Sequence, residues 1–386
     1  MEPARKPHSR SRSSRENGGV THAWYSNPSA RSWISPKPVA DTRAFHRALP
    51  GYAPTRLINA PTLAAELGVA HVVVKEEALR IGLPAFKILG ASYAISRALS
   101  ARLGSDEALS LKQLHGKLDL TIVAATDGNH GRAVAHVARL VGLPARIHVP
   151  ADITTEAKQA IAGEGAELVV LDEPYDSVVR HATAVAESLG EKGLLVQDSS
   201  WPGYEDVPGW IVEGYSTLFS EADEQLAAMG LPPATLVTAP SGVGALAEAA
   251  LDHYRRGASD APTVLVVEPE GAPCIIESLH AGERVDVEIG FSIMKGLNCG
   301  VVSPGAWPTL RDGTDASIVV AEKAAAEAVR DLQSLGIDSG PCGASSLAAV
   351  RALCGDPTRR ADAGVTERSV LLLLSTESLT ANPIDL

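Results

Sequence analysis

The sequence predicts an α/β protein made of two doubly wound, largely parallel sheets. Three observations predict it. Short apolar runs such as Thr121-Ile122-Val123-Ala124-Ala125 and Val370-Leu371-Leu372-Leu373-Leu374 alternate with stretches of helical periodicity. Several of these runs break into loops of Gly, Ser, Asp or Asn and then into a helix, the connection that returns a chain to a parallel sheet. The 386 residues, 45% of them hydrophobic, supply enough core for one large α/β unit or for two domains.

Taken in order, residues 1–20 are rich in Arg, Ser and Gly and nearly free of large apolar side chains, so they read as a disordered tail. A helical stretch from Asp41 to Leu49 leads through the turn-rich Pro50-Gly51-Tyr52-Ala53-Pro54-Thr55 to a helix over 61–67 and a strand over 71–76. A helix over 92–103 follows. Strand Thr121–Ala125, loop Thr126-Asp127-Gly128-Asn129-His130-Gly131, helix Arg132–Val141 and strand Ala145–Val149 then form a βαβ unit, expected to be right-handed. Helix 154–164, strand Glu167–Leu171, helix 175–189 and strand Gly193–Gln197 repeat the pattern, which ends at Asp198. Beyond Tyr204 come helix 207–229, strand Thr235–Ala239, loop Pro240–Gly244, helix Ala245–Arg256 and strand Thr263–Glu268. The last third gives helix 322–335, the loop Ser339–Gly343, helix 344–353 and strand Val370–Leu374, ending at Ser375-Thr376-Glu377.

Composition excludes several function classes. A formal net charge of −12, with basic residues scattered beyond the N-terminus, argues against a nucleic-acid surface. No window approaches a membrane span and no apolar core follows the basic N-terminus, so a cytoplasmic location is expected. Cys274, Cys299, Cys342 and Cys354 are widely spaced, with no CxxC pair or matching histidine cluster, so they read as reduced thiols and no metal site is expected.

Ligands of parallel sheets gather where strand ends open into helix N-termini, here the loops 126–131, 198–204, 240–244 and 375–377. Lys87 joins them. Flanked by Phe86 and Ile88, it has two readings: an amphipathic lysine with its head in water, or a desolvated amine of depressed pKa able to hold an aldehyde cofactor as a Schiff base. Ser241-Gly242-Val243-Gly244 is a monophosphate cradle in outline, although the full GxGxxG spacing is absent and tight turns use glycine without any ligand. In the 126–131 loop, Asp127 is either a helix cap or a carboxylate engaged in proton transfer, and His130 is a satisfied helical histidine. An apolar-flanked lysine, a phosphate cradle and a loop suited to a ring together imply pyridoxal 5'-phosphate.

The chain also resembles the fold-type II, tryptophan-synthase-β-like pyridoxal-phosphate enzymes, and within them the diaminopropionate ammonia-lyases. The resemblance is carried by Lys75-Glu76-Glu77, Gly82-Leu83-Pro84-Ala85-Phe86-Lys87-Ile88-Leu89-Gly90, Thr126 to Arg132, Val196 to Tyr204, Gly242 to Ala245, Ile293 to Gly300 and Ser375-Thr376-Glu377, in the family's order over roughly residues 45–380. It implies that Lys87 holds the cofactor and moves the Cα proton, and that Asn129 bonds the cofactor's phenolic oxygen. Backbone donors at Gly242, Val243, Gly244 and Ala245 would bind its phosphate, and Ser375 or Thr376 would face its pyridine nitrogen. Asp127 and Asp198 would surround a small amino-acid substrate and let both enantiomers of 2,3-diaminopropionate react, giving pyruvate and ammonia. The resemblance further implies a homodimer, a large domain of residues 21–89 plus 201–386 and a small domain of residues 90–200. The sequence departs from the family pattern at Lys295, at Pro341-Cys342 and at Ser378-Leu379. The alternatives are a serine or threonine dehydratase, a β-replacement enzyme acting on a substituted serine, and a non-catalytic binding protein of the same fold.

Overall fold

A computed structural model describes residues 23–38, 41–258 and 260–385; the tail expected over residues 1–20 lies outside them. Eleven strands among the described residues form two sheets. They are β1 Trp24–Ser26, β2 Arg56–Asn59, β3 His71–Glu76, β4 Thr121–Ala125, β5 Ala145–Pro150, β6 Glu167–Leu171, β7 Gly193–Leu195, β8 Leu236–Pro240, β9 Thr263–Pro269, β10 Ala316–Val320 and β11 Val370–Ser375. The larger sheet has the order β1-β10-β9-β8-β11-β3-β2 and the smaller the order β6-β5-β4-β7. Every pairing in the smaller sheet is parallel, and so are the inner pairings of the larger one. The predicted fold class is therefore borne out.

The differences lie mostly at edges and element ends. The short strands β1 and β2 pair antiparallel on the two edges of the larger sheet, where three or four residues carry too little periodicity to be read. β10 was also missed, although Ser317-Ile318-Val319-Val320 has the β-branched signal of the other buried strands. The helix expected from Ser92 starts earlier, at Ile88, and the one expected from 344 starts at Pro341, a residue well suited to a first helical turn.

Alternation along the strands assigns the core. Val73, Leu372 and Leu374 face a hydrophobic core that continues through Leu89, Ile122 and Ile147 into the smaller sheet. Their neighbours Val72, Val74, Leu371 and Leu373 face a second core on the other side. The outer face of the smaller sheet is closed by Val123, Ala125, Val178 and Ala182. A buried charge cluster ties β3 to the helix Asp206–Ala228: Lys75 donates to Glu221 at 2.7 Å, and Arg80 donates to both Glu77 and Glu221.

That helix crosses the helix Ile88–Arg102 on a pair of glycines. A Cβ on Gly214 would lie 2.6 Å from Leu89 O and 2.8 Å from Gly90 Cα, and a Cβ on Gly90 would lie 2.6 Å from Tyr215 Cε1. Only a missing side chain on each helix permits this approach, which presses Tyr215 against the turn that begins at Lys87. Gly214→Ala should lower the free energy of unfolding by about 1–3 kcal/mol, because the clash is with backbone that has no room to yield. A urea midpoint unchanged from wild type would contradict the packing.

Candidate active site

After β3 the chain turns back on itself between Arg80 and Leu83, which exchange backbone hydrogen bonds at 2.8 and 3.0 Å. It then meets the end of β11, where Phe86 N–H donates to Thr376 O at 3.2 Å. Lys87 follows as the residue that caps the helix Ile88–Arg102. Its Nζ donates to Asp198 Oδ2 at 2.8 Å and lies 5.6 Å from the centre of the Phe86 ring, which in turn leans on Tyr215. The two side chains are 22% and 14% exposed, so the pair sits in a cleft and is not sealed in the core.

Burial alone would depress the Lys87 pKa, the value expected of a desolvated amine. The structure corrects that expectation. Burial pulls the Lys87 pKa down, but the attraction of Asp198, followed by the influence of Tyr215 and Asp127, raises it above the ordinary lysine range. Asp198 shows the complement: burial pushes its pKa up, and Lys87 together with His130 drives it well below the ordinary carboxylate range. The sign follows for each partner. The stabilisation from Asp198 is present above ordinary carboxylate pKa values and is lost as pH falls through its depressed pKa. That from Lys87 is present below the ordinary lysine pKa and is lost as pH rises through its raised one.

Asp198 is held by its neighbours. Gln197 Oε1 accepts from Ala125 N at 2.8 Å, Gln197 N–H donates to Tyr204 Oη at 2.9 Å, and Tyr204 stacks on Trp201. His130 Nε2 lies 2.8 Å from Val196 O, which ties the 126–131 loop to the strand that delivers Asp198. Asp127 does not cap the helix Asn129–Val141. Thr126 does the local bonding instead, its Oγ1 accepting from Gly128 N and Gly131 N at 2.9 and 3.0 Å. The Asp127 side chain is left exposed at the cleft mouth. The walls of the cleft still raise its pKa, with Lys87 opposing, Asp198 adding to the effect, and a backbone hydrogen bond and Lys295 lowering it.

The remaining predicted residues fall into two groups. Gly242 and Val243 precede the helix Ala245–Tyr254, and Gly244 caps it at φ +102°, a backbone conformation that disfavours a side chain. A Cβ on Gly242 would lie 2.7 Å from Cys299 Sγ and 3.2 Å from Gly296 O, so the segment Lys295–Cys299 closes directly over this turn. At the end of β11, Ser375 Oγ donates to Asp338 O at 3.2 Å, and Thr376 is buried. Asn129 Nδ2 donates to Glu377 Oε2 at 2.7 Å, so the 126–131 loop is also bonded to the end of β11.

Three residues at this cleft had no predicted role. Tyr175, the first residue of the helix Tyr175–Ser188, has its pKa raised by burial and then by Asp198, Asp127 and Cys299. Its position just past β6, at the carboxyl edge of a parallel sheet, was a usable signal. Burial raises the Cys299 thiol pKa, and the same two carboxylates raise it further. Tyr215 sits within a long helix, where nothing in the local sequence marks it.

Comparison with known proteins agrees with this arrangement. Residues 48–375 match the family model described as pyridoxal-phosphate dependent enzyme. The diaminopropionate ammonia-lyase of Escherichia coli strain K12 is 37% identical over 351 residues, covering 88% of this chain and 87% of that protein. The chain belongs to the pyridoxal-phosphate dependent enzymes, in the diaminopropionate ammonia-lyase family. Crystal structures of the Escherichia coli enzyme in complex with D-serine and with an aminoacrylate-PLP azomethine reaction intermediate superpose with TM-scores of 0.84 and 0.82. Each is 35% identical to this chain and covers 92% of it and 94% of the solved chain. The fold and family expected from the sequence are thus borne out, and pyridoxal phosphate is the cofactor.

The residues present fit that cofactor. Lys87 offers an amine at the cleft. The turn at Gly242–Gly244 precedes a helix whose first N–H groups have no partner within the helix, a setting that suits a phosphate. As a check on the electrostatics, the pH midpoint for labelling Lys87 with an amine reagent should move down in Asp198→Asn, since burial then acts without its main opponent. A midpoint that stays at the wild-type value would contradict the pairing.

Proposed function

We propose that the enzyme eliminates ammonia from 2,3-diaminopropionate, with release of pyruvate and a second ammonia after hydrolysis of the enamine product. The observation that carries this reading is the Asp198 carboxylate bonded to Lys87 at 2.8 Å, with Asp127 at the mouth of the same cleft, in a chain 37% identical to a diaminopropionate ammonia-lyase. Asp198 is driven toward the ionised form and Asp127 toward the protonated one. Two carboxyl groups whose environments push their pKa values apart are suited to separate acid and base roles.

Bound pyridoxal phosphate supplies an electron sink for the Cα–H bond. The chain's own residues do the rest. Lys87 would hold the cofactor, and its amine, when neutral, would take the Cα proton. Asp198 remains ionised and faces the substrate's second amino group, while Asp127, protonated, gives that group the proton with which it leaves as ammonia and is left as a carboxylate. Asn129 would hold the cofactor's ring, the backbone of Gly242 to Ala245 would bind its phosphate, and Ser375 or Thr376 would be its partner at the ring nitrogen. The tie from Asn129 to Glu377 supports this grouping, because it brings the ring loop and the end of β11 together.

The division into a large domain of residues 21–89 plus 201–386 and a small domain of residues 90–200 belongs to the same proposal. It is supported by the confinement of β4–β7 to residues 121–195. A homodimer is likewise proposed, supported by the exposed apolar side chains Ile289, Phe291 and Val301. Among the described residues no helix is long and apolar enough to cross a membrane.

Both enantiomers of 2,3-diaminopropionate, serine and threonine form the panel that tests the substrate. Pyruvate with two equivalents of ammonia is expected from the diamine at a rate well above that from either hydroxy amino acid. Faster turnover of serine or threonine would favour a dehydratase, and no turnover of any of them would favour a binding protein. Asp127→Ser should reduce kcat/KM for diaminopropionate by about 100-fold or more, the scale of a lost proton-transfer group. An unchanged value with both enantiomers would remove Asp127 from the reaction.

A further inference from the structure

We propose that Tyr215 is a positioning residue for Lys87, its phenol holding the lysine amine whenever Asp198 does not. The inference rests on the role of Lys87 given above and adds a partner that the family assignment does not name.

Tyr215 is wholly buried, and its hydroxyl has no hydrogen-bond partner within 3.5 Å among the described residues, although the Lys87 side chain is near enough to act on it. An unpaired buried hydroxyl costs about 1–3 kcal/mol, and phenylalanine would fill the same space without that cost. The ring is fixed on two sides. The Phe86 ring lies 4.7 Å away, centre to centre, at an interplanar angle of 52°, and Gly90 lies so close that a Cβ there would be 2.6 Å from Tyr215 Cε1. Phe86 is the residue before Lys87, and Gly90 is one turn into the helix that Lys87 caps, so Tyr215 is braced against the backbone on both sides of the lysine.

Lys87 and Asp198 are the charged groups that act on this phenol. Burial pushes its pKa up to about 12; Lys87 opposes the rise and Asp198 adds to it. The phenol therefore stays protonated near neutral pH. In that state its oxygen can accept an N–H from an ammonium or from a neutral amine.

The structure shows Lys87 bonded to Asp198. A lysine that takes a proton from Cα must leave that carboxylate and present a neutral nitrogen. Tyr215 Oη can accept one N–H of that amine, which leaves the nitrogen lone pair free for the Cα proton. When the nitrogen takes the Cα proton and becomes ammonium, the phenol oxygen goes on accepting from it. The bond broken is Cα–H, the bond formed is N–H at Lys87, and Tyr215 ends with the proton it began with.

Tyr215→Phe tests this in the cofactor-loaded enzyme, using a substrate deuterated at Cα. The expected result is a kcat lower by about 10- to 100-fold with KM changed less than about threefold. The deuterium isotope effect on kcat should rise, and the thermal midpoint should hold or increase because an unpaired hydroxyl has gone. Unchanged kcat and isotope effect would overturn the proposal. If Tyr215→Phe instead melts lower, 3-fluorotyrosine at position 215 keeps the packing and acidifies the phenol. A shifted pH profile of kcat then supports the positioning role, and an unmoved one overturns it. Failure of the Lys87 role is separable, because it appears as visible cofactor absorbance that persists in Lys87→Ala, whatever residue occupies position 215.

Discussion

The contact between Lys87 and Asp198 is the constraint on which the site depends. Lys87 follows the strand at one flank of the larger sheet, and Asp198 follows the last strand of the smaller one, so a single ammonium–carboxylate bond of 2.8 Å links the carboxyl ends of both. Bringing these charges into a cleft is unfavourable for either alone, and each makes the other tolerable. The surroundings serve that placement. The Gly90–Gly214 crossing sets the helix that Lys87 caps, and the bonds around Gln197, Tyr204 and His130 set the loop that carries Asp198.

The same contact explains why two aspartates in one cleft differ in character. Asp198 takes the close bond to Lys87, and His130 adds to its ionisation. Asp127 lies at the open mouth, where Lys87 and Lys295 pull its pKa down, but the cleft walls and Asp198 push it up and prevail. Lys295 is thus a charge at the rim of the site, one residue from the Gly296 carbonyl that lies over the Gly242 turn. It stands where the sequence departs from the family pattern, and its influence falls on the carboxylate that the proposed reaction uses for the leaving amine.

Much of this was legible in the sequence for definite reasons. The inner strands were visible because burial on both faces demands unbroken β-branched and aliphatic runs, as in β4 and β11. The loops of the site were visible because glycine, aspartate and asparagine cluster where parallel strands end. The edge strands β1 and β2 were not, since pairing on a single side requires little of three or four residues. Direct reading of Lys87 left open an amphipathic lysine or an amine of depressed pKa, and the depressed pKa failed because the decisive partner, Asp198, is 111 residues away in sequence. Tyr215 was invisible for a related reason: a tyrosine within an apolar helix looks like core, and its unpartnered hydroxyl is a property of the folded state alone.

The central claim is that Lys87 is the residue that carries the cofactor. Borohydride reduction of the pyridoxal-phosphate-loaded enzyme, followed by peptide mass spectrometry, tests it most directly. The account predicts a phosphopyridoxyl group on Lys87 alone. A label on Lys75 or Lys295, with Lys87 unmodified, would contradict it.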